Sequence, residues 1–256
     1  MRVVTSIAEL LEARCARGEA ATGFVPTMGA LHDAHRSLLD RARRECAQLW
    51  ASLFVNPAQF DDPGDLARYP RALEADLALL RASGTDLVFL PRAEALYADG
   101  YRYRVTETGL ARRLEGASRP GHFDGVLTVV LKLLLLARPA RAYFGEKDWQ
   151  QLRLVEGLAQ AFFLEVEIVP CALVRETDGL AMSSRNRLLS PAERAVAPAL
   201  HRLLADSVRE RRSPAEAAER LAQAGFGVDY VEDEDGRRLA AVRIGSVRLI
   251  DNVVTG

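Results

Sequence analysis

Short apolar runs alternate with helical patterns through residue 175 of this 256-residue chain, and this alternation limits the possible fold more than any other feature. A brief run that is apolar throughout and closed by Gly, Pro or Asn is typical of a strand with both faces buried. The predicted strands are "TGFVPT", "LWASLFV", "DLVFLP", the less regular "YRYRVTETG", "RAYFG" and "VEIVPCALV". The predicted helices run from about His32 to Cys46, through "RALEADLALLRAS", onward from Gly125, and through "DWQQLRLVEGLAQAF". We therefore expect an α/β fold with a Rossmann-like, doubly wound parallel sheet.

The pattern changes after about residue 176. Two predicted helices, "SPAERAVAPALHRLLADSVRERR" and "SPAEAAERLAQAG", each begin with Ser-Pro, a capping residue followed by a proline suited to the first helical turn. A hairpin follows, with "DEDG" as the turn between "VDYVE" and "RRLAAVRI". We expect a Rossmann-like domain over 1–176 and a smaller α+β lid domain over 177–256.

Composition excludes several classes of protein. Hydrophobic residues make up 49% of the chain, so a packed core is expected, and the net charge of −1 argues against non-specific nucleic-acid binding. The longest apolar run contains Lys132 and is shorter than the roughly 20 residues of a membrane span. Cys15, Cys46 and Cys171 have no CxxC spacing, which suggests buried thiols in a reducing compartment. With no signal-peptide pattern at the start, we expect a cytoplasmic protein that is not bound to a membrane.

The strand ends carry polar clusters, although the common nucleotide motifs GxxxxGK[ST] and GxGxxG are missing from the sequence. In "VPTMGALHDAHRSLL", His32 and His35 share one face of a helix in its first turn. Backbone N–H groups and the helix dipole favour an anion there, and two imidazoles can donate to phosphate oxygens. A chance surface pair is the alternative. A metal pair is a further one, for which the sequence places no third ligand suitably.

Two further stretches support phosphate or nucleotide binding. In "FGEKDWQQL", Gly145 allows close approach to the backbone, Lys147 supplies positive charge, Asp148 can bind a ribose hydroxyl, and Gln151 lies one turn beyond. A turn glycine followed by solvated charges is the simpler interpretation of this stretch. In "GLAMSSRN", two hydroxyls and a guanidinium can fold over a triphosphate, but such loops are also common without function.

Amide side chains mark a third cluster. Asn56 and Gln59 in "FVNPAQF" are typical of a pocket, although an Asn cap on a loop explains the same pattern. Covalent catalysis is not indicated, because no GxSxG is present and no cysteine lies near a histidine in the sequence.

Taken together and in this order, these stretches resemble the pantoate–β-alanine ligases of the HxxH nucleotidyl-transfer superfamily. The matching runs are "VPTMGALHDAHRSLL", "FVNPAQF", "DLARYPR", "LEGASRPGHFDGVLTVVLKL", "FGEKDWQQL", "DGLAMSSRN" and "RLIDN". The resemblance covers almost the whole chain. Two departures are Ala98, where the family usually has proline, and a segment after "VDYVE" that is shorter than is usual.

The resemblance implies an ATP-dependent condensation of pantoate with β-alanine, which yields pantothenate, AMP and diphosphate through an enzyme-bound pantoyl adenylate. This step belongs to pantothenate and coenzyme A biosynthesis. The chemistry requires alignment of two anions, neutralisation of charge and exclusion of water, and it needs no protein nucleophile. Mg²⁺ would accompany the ATP triphosphate, with no protein ligand assigned to it. The family also implies a homodimer whose partners are small-molecule substrates.

The resemblance also implies a role for each site residue. The catalytic residues would be His35 as proton donor, His32, Lys147, Ser184 and Arg185. ATP would be bound by Pro26, Met28, Gly29, Ala30, Leu31, His32, Asp33, Ala34, His35, Gly145, Glu146, Lys147, Asp148, Val174, Met182, Ser183, Ser184 and Arg185. Pantoate and β-alanine would be bound by Gln59, Gln151, Asn56, Tyr69, Arg119 and His122.

Two other functions fit parts of this pattern. A nucleotidyltransferase of the same superfamily would share the histidine pair and the Ser-Arg loop, but it should lack the glutamines of "FVNPAQF" and "KDWQQ". A catalytically silent nucleotide sensor or a tRNA-binding module is a rival of a different class. The intact His32, His35, Lys147 and Arg185 argue against a silent protein, and the near-zero net charge argues against RNA.

Overall fold

The computed structural model describes residues 1–61 and 63–256 of the chain. It divides them into two compact units. The first comprises Met1–Glu146 and Gln150–Cys171, and the second comprises Lys147–Trp149 and Ala172–Gly256. The sequence-based boundary at 176 lies a few residues after this division. The sequence does not predict that Lys147–Trp149 belong to the second unit.

The first unit contains a six-stranded sheet in which every neighbouring pair is parallel. Its strands are β1 (Arg2–Val4), β2 (Thr22–Thr27), β3 (Gln48–Leu53), β4 (Leu87–Phe89), β5 (Arg141–Gly145) and β6 (Glu167–Cys171). The order across the sheet is β1-β4-β3-β2-β5-β6, which confirms the predicted doubly wound α/β fold. The strand order reverses at β2, between β3 and β5. Ligands of open α/β sheets bind beyond the carboxyl ends of the strands at such a point.

Helices connect these strands. They are α1 (Ile7–Ala16), α2 (Asp33–Glu45), α3 (Pro63–Arg68), α4 (Leu73–Ala82), α5 (Ala93–Leu96), α6 (Glu115–Ser118), α7 (His122–Ala137) and α8 (Trp149–Ala161). Short 3₁₀ turns cover Pro57–Gln59, Leu110–Arg112 and Glu146–Asp148. The apolar face of α2 buries Leu38, Leu39 and Ala42 in the core that contains β2 and β3 residues. This packing fixes the start of α2 relative to the end of β2.

The long apolar run forms α7, and most of that helix is buried in the core. Lys132 leaves the apolar face and donates from Nζ to the carbonyl oxygen of Leu96 at 2.6 Å, with Asp99 at 3.2 Å. Among the described residues, no helix is both long and apolar enough to cross a membrane. The prediction of a buried core helix is therefore confirmed.

Two details of the predicted secondary structure are wrong. Residues 101–109, all of them described, form no strand. Tyr103 is 77% exposed, and the backbone N–H of Val105 donates to Thr128 Oγ1 on α7 at 2.9 Å instead of to a neighbouring strand. The predicted long helix after residue 190 is two helices, because Pro198 lacks the N–H that a continuous helix requires.

The second unit is the expected smaller α+β structure. Its elements are α9 (Pro191–Val196), α10 (Ala199–Arg209), α11 (Pro214–Gln223), β7 (Gly227–Glu234), β8 (Arg237–Ile244) and β9 (Val247–Val254), with a 3₁₀ turn at Ser184–Leu188. The strands form an antiparallel sheet in the order β7-β8-β9. Asp235 and Gly236 have φ of 51° and 74°, which are the left-handed values of a tight hairpin turn. The hairpin was predicted, whereas the third strand was not.

The three cysteines are free, but they are not all buried as predicted. Cys46 and Cys171 lie in the core of the first unit, where the Cys46 thiol is 3.4 Å from the Tyr143 hydroxyl. Cys15 lies on α1 and is exposed. The prediction of a buried thiol is therefore wrong for Cys15, because spacing in the sequence carries no information on which face of a helix a cysteine occupies.

Candidate active site

The loop between β2 and α2 is held in a strained path by one buried carboxylate. Gly29 and Ala30 have φ of 82° and 52°, values that a residue with a side chain such as alanine rarely adopts. Asp76 on α4, 4% exposed, accepts the backbone N–H of Ala30 at 2.9 Å and that of Leu31 at 2.7 Å. These two charge-assisted bonds stabilise the unusual backbone. The backbone that leads into His32 is therefore held in one conformation.

His32 and His35 lie together at the start of α2. His32 is the extended N-cap residue, and its backbone N–H donates to Nδ1 of His35 at 3.3 Å. The two ring centroids are 4.2 Å apart. An Nδ1 that accepts an N–H carries no proton, so the neutral His35 ring carries its proton on Nε2. His35 is thus arranged to donate from Nε2 at a helix end that favours anions.

The remaining ATP-site residues predicted in this loop follow the chain in order. Pro26 lies in β2, Met28 in the loop, and Asp33 and Ala34 in the first turn of α2. Of these loop residues, Ala30 and Leu31 are buried. Their side chains belong to the core, and only their backbone can face a ligand.

The next strand of the sheet ends at a second predicted cluster. β2 pairs with β5 through Phe24 and Ala142, and extending this register places Gly145 level with Thr27. A Cβ added at Gly145 would meet no described atom within 4 Å. Glu146 opens the 3₁₀ turn that follows. The carboxyl ends of β2 and β5 are therefore neighbours at the switch point, an adjacency that the structure adds to the predicted clusters at strand ends.

Lys147 and Asp148 follow Glu146 after the end of β5, and with Trp149 they are assigned to the second unit. Lys147 Nζ lies 3.8 Å from an oxygen of Asp148, and the lysine side chain is 20% exposed. Such a distance allows the ammonium to exchange this carboxylate for another anion. Gln151 is half-buried in the first turn of α8 and belongs to the first unit.

The predicted amides form a hydrogen-bonded chain in the first unit. Asn56, 1% exposed, accepts at Oδ1 from the backbone of Ala58 and from the Tyr97 hydroxyl, the latter at 2.7 Å. Its Nδ2 donates to the carbonyl of Gly125 at 3.1 Å and to Gln59 Oε1 at 3.0 Å. A backbone N–H only donates and a carbonyl only accepts, so these contacts fix the Asn56 amide. The NH₂ end of Gln59 then points away from Asn56 as a donor.

Asn56 therefore orients Gln59. Both ends of the Asn56 amide are already hydrogen-bonded within the protein. Gly125 is required at the contact, because a Cβ there would lie 2.3 Å from the carbonyl oxygen of Ala58. Burial raises the pKa of the Tyr97 hydroxyl well above its usual range, so this group stays a donor. Sequence reasoning found both amides but not Tyr97, whose partner lies far away along the chain.

Arg119 and His122 form the second predicted pair of this unit. His122 is 7% exposed, and its Nδ1 donates to the carbonyl of Gln59 at 2.8 Å. Its Nε2 accepts from Arg119 at 3.2 Å. Burial, and then the positive charge of Arg119, lower the pKa of His122 to about 4, which agrees with a neutral ring. Arg119 also contacts Asp61 at 3.1 Å and Glu115 at 3.4 Å.

Tyr69 is the last predicted site residue of the first unit, and Gln150 is a structural residue beside the predicted Gln151. Tyr69 packs edge-on against Phe60, with ring centroids 5.7 Å apart. Gln150, which the sequence analysis did not single out, accepts the backbone N–H of Glu115 and donates to the carbonyls of Leu110 and Arg113. Of the two adjacent glutamines, Gln150 is therefore structural. Gln151, the other glutamine of the pair, is the one predicted to bind a ligand.

In the second unit, the predicted Ser-Arg loop follows a small hairpin. The backbone N–H of Met182 donates to the carbonyl oxygen of Val174 at 3.0 Å. Ser183 caps the 3₁₀ turn by accepting the N–H of Arg185, and Ser184 begins that turn. Asn186 donates to Glu176 and to the carbonyl of Ala181. The loop is therefore a structured turn that begins at Ser184.

The described residues contain no group of three His, Cys, Asp or Glu side chains able to hold a metal ion. Mg²⁺ is usually held by one or two carboxylates together with substrate phosphates. The residues present therefore fit a cation that is carried by a bound triphosphate. They do not form a cage of their own.

A doubly wound sheet with a histidine pair at a helix N-terminus beside its switch point is typical of a nucleotide-dependent enzyme that acts at phosphate. Comparison with known proteins narrows this class. The chain belongs to the pantoate–β-alanine ligase family, whose model matches residues 2–254.

Individual relatives match most or all of the chain. A pantothenate synthetase from Bdellovibrio bacteriovorus is 52% identical over 231 residues, which is 90% of this chain and 90% of the relative. The solved pantothenate synthetase from Thermus thermophilus is 45% identical with a TM-score of 0.90, covering 100% of this chain and 99% of that chain. A pantoate–β-alanine ligase from Francisella tularensis, complexed with beta-gamma ATP and beta-alanine, is 37% identical with a TM-score of 0.92, covering 100% and 98%. The solved relatives are therefore close to this chain in length.

Proposed function

We propose that this protein condenses pantoate with β-alanine at the expense of ATP, yielding pantothenate, AMP and diphosphate. The observation that carries the proposal is the His32–His35 pair, fixed at the start of α2 beside the switch point of the sheet. Family membership along residues 2–254 supports it, as does the named ATP and β-alanine complex of the Francisella tularensis relative.

The reaction takes two steps. In the first, a carboxylate oxygen of pantoate attacks the α-phosphorus of ATP, the bond to the bridging oxygen breaks, and diphosphate leaves with that electron pair. In the second, the amine of β-alanine attacks the acyl carbon of the pantoyl adenylate, loses a proton, and displaces AMP. Both steps depend on aligned anions and on donors aimed at developing negative charge.

We assign the phosphate contacts of the first unit to the β2–α2 loop. His35 donates from Nε2 to the departing diphosphate, and His32 lies beside it to bind the same phosphates. The backbone of Met28–Leu31, fixed by Asp76, provides the close approach that the nucleotide requires. Gly145, with open space at its Cα, admits the ribose next to β5.

The second unit contributes charge. Lys147 would neutralise the α-phosphate as it is attacked, and Asp148 would bind the ribose. Met182, Ser183, Ser184 and Arg185 would bind phosphates from the Ser-Arg loop, and the unit over 177–256 would act as a lid. Val174 would meet adenine through its backbone.

Pantoate and β-alanine are assigned to the buried amides. Gln59 presents its NH₂ end because Asn56 holds its oxygen, and a donor suits a carboxylate or hydroxyl oxygen. Gln151 would supply the second amide. Neutral His122 and the Arg119 guanidinium would line the same region, with Tyr69 beside them.

Mg²⁺ would enter with ATP and would offset charge on the triphosphate when bound. We further propose that the enzyme acts in the cytoplasm as a homodimer. Both statements follow the family resemblance.

The decisive experiment measures diphosphate release from ATP with pantoate present, first without and then with β-alanine. A single stoichiometric burst that becomes steady turnover to AMP only when β-alanine is added would establish the two-step ligase. Diphosphate release that ignores pantoate but responds to a phosphorylated acceptor would instead assign the chain to AMP transfer.

A further inference from the structure

The run "RLIDN" lies on β9, and none of its residues is among those proposed to bind ATP, pantoate or β-alanine. Its last two residues, Asp251 and Asn252, are each 3% exposed. Both lie in a strand that is paired along its whole length with β8. Buried polar side chains require hydrogen-bond partners, so each of these two residues must be paired within the protein.

Asn252 binds the turn that carries the proposed catalytic lysine. Its Oδ1 accepts from Arg237 at 2.7 Å, and because a guanidinium only donates, this contact fixes the amide orientation. The Nδ2 of Asn252 then donates to the carbonyl oxygen of Lys147 at 3.1 Å. Arg237 also lies over the ring of Trp149, 4.2 Å from its centroid. The turn of Lys147–Trp149 is thus attached to β8 and β9 at two points.

Asp251 binds the hairpin that leads to the Ser-Arg loop. Its carboxylate accepts from two nitrogens of Arg175, at 2.7 and 2.9 Å, in a bidentate pair. Arg175 bridges to Ala181 across the hairpin, one residue before Met182. The geometry of a bidentate arginine pair fixes direction as well as distance. Asp251 therefore sets where the hairpin stands and where the Ser-Arg loop begins.

We propose that Asp251 and Asn252 are positioning residues that hold two phosphate-binding segments of the second unit on one strand. Asn252 acts through the backbone of Lys147, and Asp251 acts through Arg175. This inference rests on the proposed function of those segments. A lysine that must meet charge developing on phosphorus depends on a fixed backbone, and displacement by about 1 Å can reduce the rate on the order of a hundredfold.

The test uses near-isosteric variants of the full-length protein. Asn252→Asp keeps an acceptor for Arg237 but cannot donate to the Lys147 carbonyl. Asp251→Asn removes the bidentate pair with Arg175. Asp229→Asn is the matched control, because Asp229 lies on the same sheet and its ion pairs among the described residues are with Arg243 and Arg248, outside both segments.

We expect Asn252→Asp to reduce kcat for pantoate-dependent diphosphate release by roughly 10- to 100-fold. The KM for pantoate should stay near that of the unaltered chain, since the lysine acts on the transition state. Asp229→Asn should lower the melting temperature without changing kcat. Amide hydrogen exchange gives an independent readout: it should accelerate at 147–149 in Asn252→Asp, and at 175–185 in Asp251→Asn.

A normal kcat in Asn252→Asp, or an equal loss of kcat in the Asp229→Asn control, would overturn the proposal. If Asn252→Asp loses its cooperative unfolding transition, Asn252→Ser replaces it, because its shorter side chain does not reach the carbonyl. An unaltered chain without pantoate-dependent diphosphate release would refute the proposed function instead. The exchange pattern would still decide the positioning role in that case.

Discussion

Asp76 offers the sharpest test of how this site is built. Its carboxylate accepts two backbone N–H groups, from Ala30 at 2.9 Å and Leu31 at 2.7 Å, while it is 4% exposed. A hydrogen bond to a charged group contributes about 1.5–3 kcal/mol, so the pair contributes about 3–6 kcal/mol. Asp76→Asn keeps one acceptor and turns an NH₂ group toward the other amide. We expect the free energy of unfolding to fall by about 2–4 kcal/mol.

Urea denaturation measures this loss as a shift of the midpoint at constant slope. Glu74→Gln is the matched control, because it removes an exposed carboxylate from the same first turn of α4 and should change stability by less than about 0.5 kcal/mol. The Asp76 variant should also raise the KM for ATP, because Ala30 and Leu31 lead directly to His32. Equal stability of the Asp76 and Glu74 variants would show that the loop holds its path without the carboxylate.

Three further predictions follow from the same geometry. The pKa of the His122 ring is about 4 in the folded chain and 6.5 in the unfolded chain. Between pH 4 and pH 6.5 the ring is therefore protonated mainly in the unfolded chain, which stabilises the unfolded state as the pH falls. Its contribution of about 3 kcal/mol is therefore complete above pH 6.5 and is lost as pH falls through about 4. Urea unfolding at about pH 7 and about pH 4 should show a smaller difference in His122→Asn. Gly125→Ala should cost about 1–3 kcal/mol and raise the KM for pantoate, because its Cβ meets the Ala58 carbonyl at 2.3 Å. Gly157→Ala in α8, where the Cβ meets no described atom within 4 Å, should instead stabilise by about 1 kcal/mol in the same denaturation assay. Lys147→Ala should reduce kcat/KM for ATP by a factor that corresponds to about 2–4 kcal/mol, and an unchanged value would remove the lysine from the phosphate site.

Most of the parallel sheet could be predicted because its strands are continuous apolar runs closed by Gly, Pro or Asn. The failure at 101–109 has a physical cause. Alternating Tyr and Arg fit a half-buried strand, yet nothing local indicates whether a partner strand exists, and Val105 finds Thr128 instead. Likewise β9 was not predicted as a strand, since "VRLIDNVV" places buried polar residues among its apolar ones.

The site residues also divide into those that the local sequence reveals and those whose partners are distant in the chain. His32, His35 and Lys147 follow strand ends, where their neighbours in sequence already suggest phosphate chemistry. Asp76 could not be found this way, because a carboxylate in the first turn of a helix is ordinarily solvated. Its partners are the backbone N–H groups of residues far from it in the chain, and Asn252 likewise binds the backbone carbonyl of the distant Lys147. Side chains that bind ligands leave local patterns, whereas side chains that hold backbone in place do not.

The reversal of strand order at β2 has a consequence during synthesis of the chain. β2 can pair with β3 once both have left the ribosome, but its other neighbour, β5, begins only at Arg141. At about 5–20 residues per second, the interval between Leu53 and Arg141 lasts roughly 4 to 18 s. During that time one edge of an apolar strand is open to any other nascent chain. Aggregation of this protein should therefore depend on how crowded its own newly made chains are, and slower expression should favour soluble enzyme.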